Sequence, residues 1–258
     1  MAGVPPRPTA RAGRESNLTA SRTICAGGSM TATTGRDVRV VCFDVDGTLV
    51  RQPEGRTIWQ IINAHYHGGD EINRRRFRAF REGLISYPEW VTLDILDWKA
   101  HGARRGEIEA LIRRELTVVP GARETVAELK RRGYGTAVVS GTLDLVFELL
   151  LSDFPFDHVY TNRIFFDEEG RIAGFEPTPY DVEGKADGLA RVARDFGVRG
   201  ESIAFVGDSW NDRAAFRAAG FAVAYHPKDP GLVELADAVV QDGSFERLLD
   251  LFPGSEAA

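Results

Sequence analysis

Two aspartates stand two residues apart in "DVDGT": Asp44 and Asp46, followed at once by Gly47 and Thr48. Further on, "VVSGT" places Ser140 and Gly141 at the end of an apolar run, and "VGDSWND" does the same for Asp208, Ser209, Asn211 and Asp212. Lys185 stands just ahead of a helical pattern. If these segments meet, three or four carboxylates share one small volume. Like charges about 4 Å apart repel by about 4 kcal/mol even at an effective dielectric near 20, so the cluster needs a cation. Ligands that are all oxygen favour a hard ion, and Mg²⁺ that keeps some of its water is the usual answer. No histidine or cysteine lies in these turns, which disfavours zinc.

A cation beside a hydroxyl, a lysine and two glycine turns is the equipment of a phosphate-handling site. Ser140 and Lys185 supply a donor and a fixed positive charge, and turn amides at Gly47 and Gly141 are placed to hold phosphoryl oxygens. Lysine is rare here: Lys99, Lys130, Lys185 and Lys228 stand against 28 arginines. With its charge screened, one carboxylate of the Asp44/Asp46 pair can attack phosphorus to give an aspartyl-phosphate. The other can protonate the leaving alkoxide and then deprotonate water. That second role needs a raised pKa at Asp46. Taken singly, such aspartates cap helices and close turns; the conjunction of four segments is what points to chemistry.

The elements that must position these groups follow one grammar. "VRVVCF" reads as a buried strand running into the Asp44 turn. A helix over "PGARETVAELKRRGY" stops at Gly133, and the strand "GTAVVSGT" follows. Then come a helix at "DLVFELLL", a short strand at "FDHVYT", a hairpin turning at Glu168–Gly170, a helix after Lys185, the strand "SIAFVG", a helix and the strand "FAVAY". This alternation predicts an α/β fold, a Rossmann-like three-layer parallel sheet whose ligands sit beyond the carboxyl ends of its strands. Residues 51–118 read as helices with no strand between them, a small helical cap inserted after the first strand. The core is then 37–50 and 119–258.

Residues 1–36 have no hydrophobic period, and their arginines at 7, 11, 14, 22 and 36 face only Glu15. They are expected to form a disordered arm, with translation starting at Met30 as one way to dispense with residues 1–29. A transit peptide is less favoured, and no apolar segment marks a secretory signal. The whole chain of 258 residues has a net charge of −6, so the remainder carries −10. An acidic globule is a poor nucleic-acid binder. No run of about 18 apolar residues exists to span a membrane. Two cysteines, Cys25 and Cys42, make neither a disulfide framework nor a zinc cluster, and a reducing, cytoplasmic setting is expected. Oligomeric state is not legible.

In order and spacing, "DVDGTLV", "VVSGT", Lys185 and "GDSWND" resemble the four motifs of the haloacid dehalogenase superfamily. From "TNRIFF" through the hairpin to "GDSWND" the chain is similar to its phosphoserine phosphatase branch. The resemblance implies that Asp44 is the nucleophile and Asp46 the general acid/base. It implies that Ser140 and Lys185 bind phosphate, and that Mg²⁺ rests on the side chains of Asp44 and Asp208 and the main-chain oxygen of Asp46. Asp212, Asn211 and Thr48 would support this shell from behind. The partner implied is a small-molecule phosphate ester.

Over the cap the chain departs from that branch. Where phosphoserine phosphatases carry an arginine for the substrate carboxylate, counting reaches Asp94; Glu54 falls one residue late for the glutamate that meets the substrate amine. An anionic cap favours a substrate with hydroxyls or an amine. Trp59, Tyr87, Trp90 and Trp98 read mainly as packing between cap helices, with Trp90 also a candidate pocket wall. Arg74, Arg75, Arg76 and Arg78 read as a solvated helix face, and Cys42 as core. The reading is a phosphatase acting through an aspartyl-phosphate; the alternatives are a sugar-phosphate mutase and a catalytically idle binding protein.

Overall fold

The computed structural model describes residues 22–24 and 37–254. Its strands are β1 (Arg22–Ile24), β2 (Val40–Phe43), β3 (Val50–Arg51), β4 (Thr117–Val118), β5 (Gly135–Leu143), β6 (His158–Phe166), β7 (Ile172–Glu176), β8 (Ile203–Gly207), β9 (Phe221–Tyr225) and β10 (Ala238–Val240). The helices are α1 (Ile58–His67), α2 (Glu71–Arg81), α3 (Tyr87–Ala100), α4 (Arg105–Glu115), α5 (Ala122–Arg131), α6 (Asp144–Val146), α7 (Lys185–Phe196), α8 (Arg213–Ala218) and α9 (Pro230–Val233).

Eight strands form one sheet in the order β1-β10-β9-β8-β2-β5-β6-β7. Neighbours are parallel except β6 and β7, which make the expected hairpin. The unbroken apolar run of β2 suits a central strand, because helices cover both of its faces. Val41 and Phe43 pack with Val126 and Leu129 of α5 and with Phe245, while Val40 and Cys42 pack with Leu189 and Val192 of α7 and Phe216 of α8.

Some local expectations are revised. The third strand and the first arm of the hairpin are one continuous β6. The helix after Asp144 makes a single α turn and continues as a π-helix over Phe147–Leu151. Residues 22–24, expected to be unstructured, lie parallel to β10 in the register Arg22↔Ala238. Main-chain pairing at an open sheet edge asks little of the side chains that add to it. The rest of the expected arm, with Cys25 and Met30, lies outside the described residues.

The cap is α1 to α4, and its two stems pair as the antiparallel ribbon β3–β4, Val50 opposite Val118. Helix starts are locally encoded: Thr57 with Gln60 and Ser86 with Glu89 form reciprocal capping boxes on α1 and α3. Gly68 ends α1 at φ 71, a conformation that favours glycine. Ile62, Val91, Ile95, Trp98 and Ile108 bury one apolar stripe continuous with the sheet's own core. Such burial contributes about 2 kcal/mol per large side chain. It fixes the cap over the carboxyl edge of the sheet.

Candidate active site

Strand register brings the four segments together. Phe43 is level with Val138 on β5 and with Val206 on β8. Asp44 thus leaves β2 where Ser140 and Asp208 lie two residues beyond their own register marks. The Asp44 amide donates to Val206 O at 3.0 Å, which locks β2 to β8 at that point. Three amides, from Thr48, Leu49 and Val50, then converge on Val45 O and close the turn. Gly47 holds φ 94 within it, and a Cβ there would run into the Asp208 carboxylate and the Lys228 ammonium. Only glycine permits that approach.

Behind Asp44 lies a buried charge network. Lys185 Nζ is 2.7 Å from Asp44 Oδ1 and 2.5 Å from Asp212 Oδ1, and Asp181 is 3.7 Å away. Burial alone would lower the lysine's pKa, but Asp212, Asp44 and Asp181 together outweigh it and hold it well above the usual range. The other oxygen of Asp212 accepts from the amides of Asp208 (2.9 Å) and Ser209 (3.1 Å), so Asp212 buttresses the Asp208 turn. Thr48 Oγ1 stands 3.5 Å from Asp208 Oδ1, and Asn211 Nδ2 donates to Asp181 Oδ1 at 2.9 Å.

Asp46 is contacted by Gln52 Nε2. Burial pushes its carboxyl up to about 7, and the charge of Asp44 adds to the push. A carboxyl group that keeps its proton near neutrality is what acid–base chemistry needs. The Ser140 hydroxyl oxygen accepts from the Thr142 amide at 3.2 Å, which leaves its proton free for a ligand oxygen.

Asp44, Asp46, Ser140, Gly141 and Asp208 floor a cavity of about 170 Å³ under the cap, and Asn211 also lines it. Trp59, Tyr87, Trp90 and Asp94 reach it from the cap, and Trp210 and Val182 from core loops. Val182 holds φ 50, a strained value for a β-branched residue, next to Asp181.

Two cap expectations change. Glu54 does not line the cavity; it is exposed, in a left-handed turn (φ 55) that carries it away while its neighbours Gln52 and Gly55 line the wall. Asp94 lines the cavity but is not an unbalanced charge, because the buried Arg76 of α2 pairs with both Asp94 and Asp97. Arg76 is therefore part of the cap interior, not of a solvated face. Trp59 and Tyr87 serve packing and pocket together, whereas Trp98 is wholly inside the cap.

The sequence profile of the haloacid dehalogenase-like hydrolases matches residues 41–217. The chain belongs to that family. The chain is 30% identical over 218 residues to a phosphoserine phosphatase of Methanocaldococcus jannaschii, covering 82% of this chain and 96% of that one. With a phosphoserine phosphatase of Archaeoglobus fulgidus it shares 31% over 212 residues, covering 81% of this chain but 58% of the other. A solved phospho-aspartyl intermediate analogue of phosphoserine phosphatase superposes with a TM-score of 0.65 at 27% identity, over 83% of this chain and 98% of that one. A hydrolase of the same family from Salmonella enterica matches the fold with a TM-score of 0.70 at 21% identity, over 87% of this chain and 74% of that one.

For a haloacid dehalogenase-like hydrolase the question is whether these residues fit a divalent cation. Oxygens of Asp44, Asp208 and Asp212 all lie within 4.8 Å of one another. Asp208 Oδ2 is buried, with the Lys228 ammonium 2.8 Å from it as its partner. Three buried carboxylates that offer only oxygen donors suit a hard cation. Asp212 is the poorest donor of the three, since both its oxygens are engaged.

Lys228, Asp181, Gln52 and Arg76 are the site residues that motif reading passes over. Lys228 carried a usable signal, being one of only four lysines in the chain. Asp181 carried another, standing four residues ahead of Lys185. Among the described residues no helix is long and apolar enough to cross a membrane.

Proposed function

We propose that this hydrolase is a Mg²⁺-dependent phosphatase that cleaves a small-molecule phosphomonoester through an aspartyl-phosphate on Asp44. The observation that carries the reading is the pairing of two unlike carboxyls under one cap. Asp44 is held by the Lys185 ammonium at 2.7 Å, and Asp46, two residues on, has its pKa raised to about 7 by burial and by Asp44.

In this mechanism an oxygen of Asp44 forms a bond to phosphorus as the ester P–O bond breaks. Asp46 delivers its proton to the departing alkoxide, which leaves as the alcohol. Asp46, now ionised, takes a proton from water, whose oxygen attacks the phosphorus; the acyl-phosphate bond breaks and Asp44 is regenerated with release of phosphate. Ser140 Oγ and the amide of Gly141 receive the phosphoryl oxygens, with Lys185 supplying positive charge at the same edge; the Gly47 amide, expected to join them, is instead taken by Val50 O at 2.8 Å within the turn. Asp44, Asp208 and the Asp46 carbonyl would hold the magnesium, which screens the phosphate charge. The cap with Trp59, Tyr87 and Trp90 keeps bulk water out.

The same reading places the enzyme in a reducing, cytoplasmic setting, supported by Cys42 as a free, buried thiol. It binds neither nucleic acid nor membrane in carrying out this reaction; the net charge of −6 supports the former. Phosphate release from p-nitrophenyl phosphate, with and without Mg²⁺, tests the proposal. Metal-dependent turnover that disappears in Asp44→Asn is expected; full activity in that variant contradicts the assignment of the nucleophile.

A further inference from the structure

The two ends of the cavity differ in chemistry. Its floor is built of carboxylates, a hydroxyl and turn amides. Its roof is Trp59, Tyr87, Trp90 and Val91 of the cap, met by Trp210 from the core. Aromatic packing holds that roof in place: Trp59 packs on Trp98 with centroids 5.1 Å apart and the rings tilted by 30°, and Phe77 bridges Trp90 (6.0 Å) and Trp210 (5.7 Å).

Among the described residues the roof offers no cation: neither arginine nor histidine lines the cavity, and the one basic lining residue, Lys228, belongs to the floor, 2.8 Å from Asp208. The buried Arg76 behind Asp94 is consumed by Asp94 and Asp97. Asp94 has Oδ1 engaged by Arg76 and by Asn63 Nδ2 (3.0 Å), and Oδ2 has no hydrogen bond among the described residues. Trp90 lines the same wall, and its buried Nε1 has no acceptor among the described residues.

A ligand carboxylate in that roof would lose its water and find no cation that is not already paired, which opposes binding. An apolar or aromatic ring, by contrast, covers the indole and phenol faces. A terminal ammonium or hydroxyl finds an acceptor in Asp94, which lines the cavity.

We infer that the substrate is the phosphate monoester of an alcohol or phenol with an apolar or aromatic body, a terminal ammonium or hydroxyl and no carboxylate, selected by Trp90 and Asp94. This rests on the phosphatase reading above and separates the chain from an amino-acid phosphate specificity.

The test uses matched pairs that differ by a carboxylate: tyramine phosphate against O-phosphotyrosine, and O-phosphoethanolamine against O-phosphoserine. Phosphate release is measured for all four with Mg²⁺, beside p-nitrophenyl phosphate. In each pair the member without carboxylate is expected to have a kcat/KM higher by about tenfold or more, the equivalent of one unpaired charge. Tyramine phosphate is expected to exceed O-phosphoethanolamine, because it fills the aromatic roof. Protection of the Asp44→Asn protein against thermal unfolding is expected to follow the same order, without any turnover. Turnover of p-nitrophenyl phosphate with the carboxylated members equal or better overturns the substrate class and leaves the phosphatase reading standing. If none of the five esters releases phosphate, the phosphatase reading itself is overturned and this inference falls with it.

Discussion

Trp59 donates its indole N–H to the carbonyl of Gly141 at 2.9 Å, across the boundary between cap and sheet. The same oxygen receives the Tyr87 hydroxyl at 3.2 Å and Asn162 Nδ2 at 2.8 Å. A carbonyl has two lone pairs, so this acceptor is saturated. The turn that carries Ser140 is thereby tied to α1, to α3 and to β6 at one atom.

Replacing Trp59 with Phe keeps an aromatic ring and removes the donor. One hydrogen bond of this kind contributes about 1 kcal/mol. Asp44 and Asp46 are untouched, so KM should rise several-fold while kcat falls less. Amide exchange in residues 58–67 should quicken. An unchanged KM with unchanged exchange would show that the bond plays no part in holding the cap closed.

Lys185→Met should unfold more easily by about 3–5 kcal/mol, because it leaves Asp44 and Asp212 buried without their cation. Lys185 is wholly buried and both partners are within 2.7 Å. A urea titration at neutral pH reads the loss directly. A shift below about 1 kcal/mol, the range of an exposed pair, would contradict the network described above.

Gly47→Ala should damage the site more than the fold. The position needs φ 94, and the added methyl meets the Asp208 carboxylate. A residue other than glycine forced into such backbone costs on the order of 1–3 kcal/mol. Displacement of Asp208 should weaken Mn²⁺ binding, followed by electron paramagnetic resonance, while circular dichroism stays close to that of the parent.

Asp94 ties stability to pH. Burial pushes its carboxyl up to about 6, against the opposing pull of Arg76 and Asn63. The folded protein thus binds this proton more tightly than the unfolded chain does. The stabilisation from Asp94 is complete below its ordinary pKa and is lost as pH rises through about 6. The total is at most about 3 kcal/mol. In Asp94→Asn this contribution is absent. Subtracting its urea-derived stability from that of the parent, between pH 4 and 7, should give a difference that declines with pH. A difference that grows with pH would mean that the ion pair with Arg76 outweighs burial.

The parts of the site that were legible in sequence are those whose meaning is local. Asp44 to Thr48 and Asp208 to Asp212 each encode a strand end, a turn and its carboxylates within five residues, and both turns lie where strand alternation implies. Lys228 escaped notice because its partner, Asp208, sits twenty positions earlier, and no local pattern links them. The cap misled more. Counting put Glu54 near the substrate, but one left-handed turn moves it out. Arg76 sits in a run of arginines that looks like a solvated stripe, yet α2 packs on α3 so that this one arginine faces Asp94 and Asp97.

Sequence alone determined that strands and helices alternate, that an oxygen-rich edge gathers Asp44, Asp46, Ser140, Lys185 and Asp208, and that a helical insert follows the first strand. Those features follow from side-chain period and turn chemistry, which act over a few residues. Only the tertiary structure decided which charges cancel, which oxygen stays unpaired and which aromatic rings face the cavity. Those depend on contacts between residues far apart in the chain, and a charge or a donor has no fixed role until its neighbours in space are known.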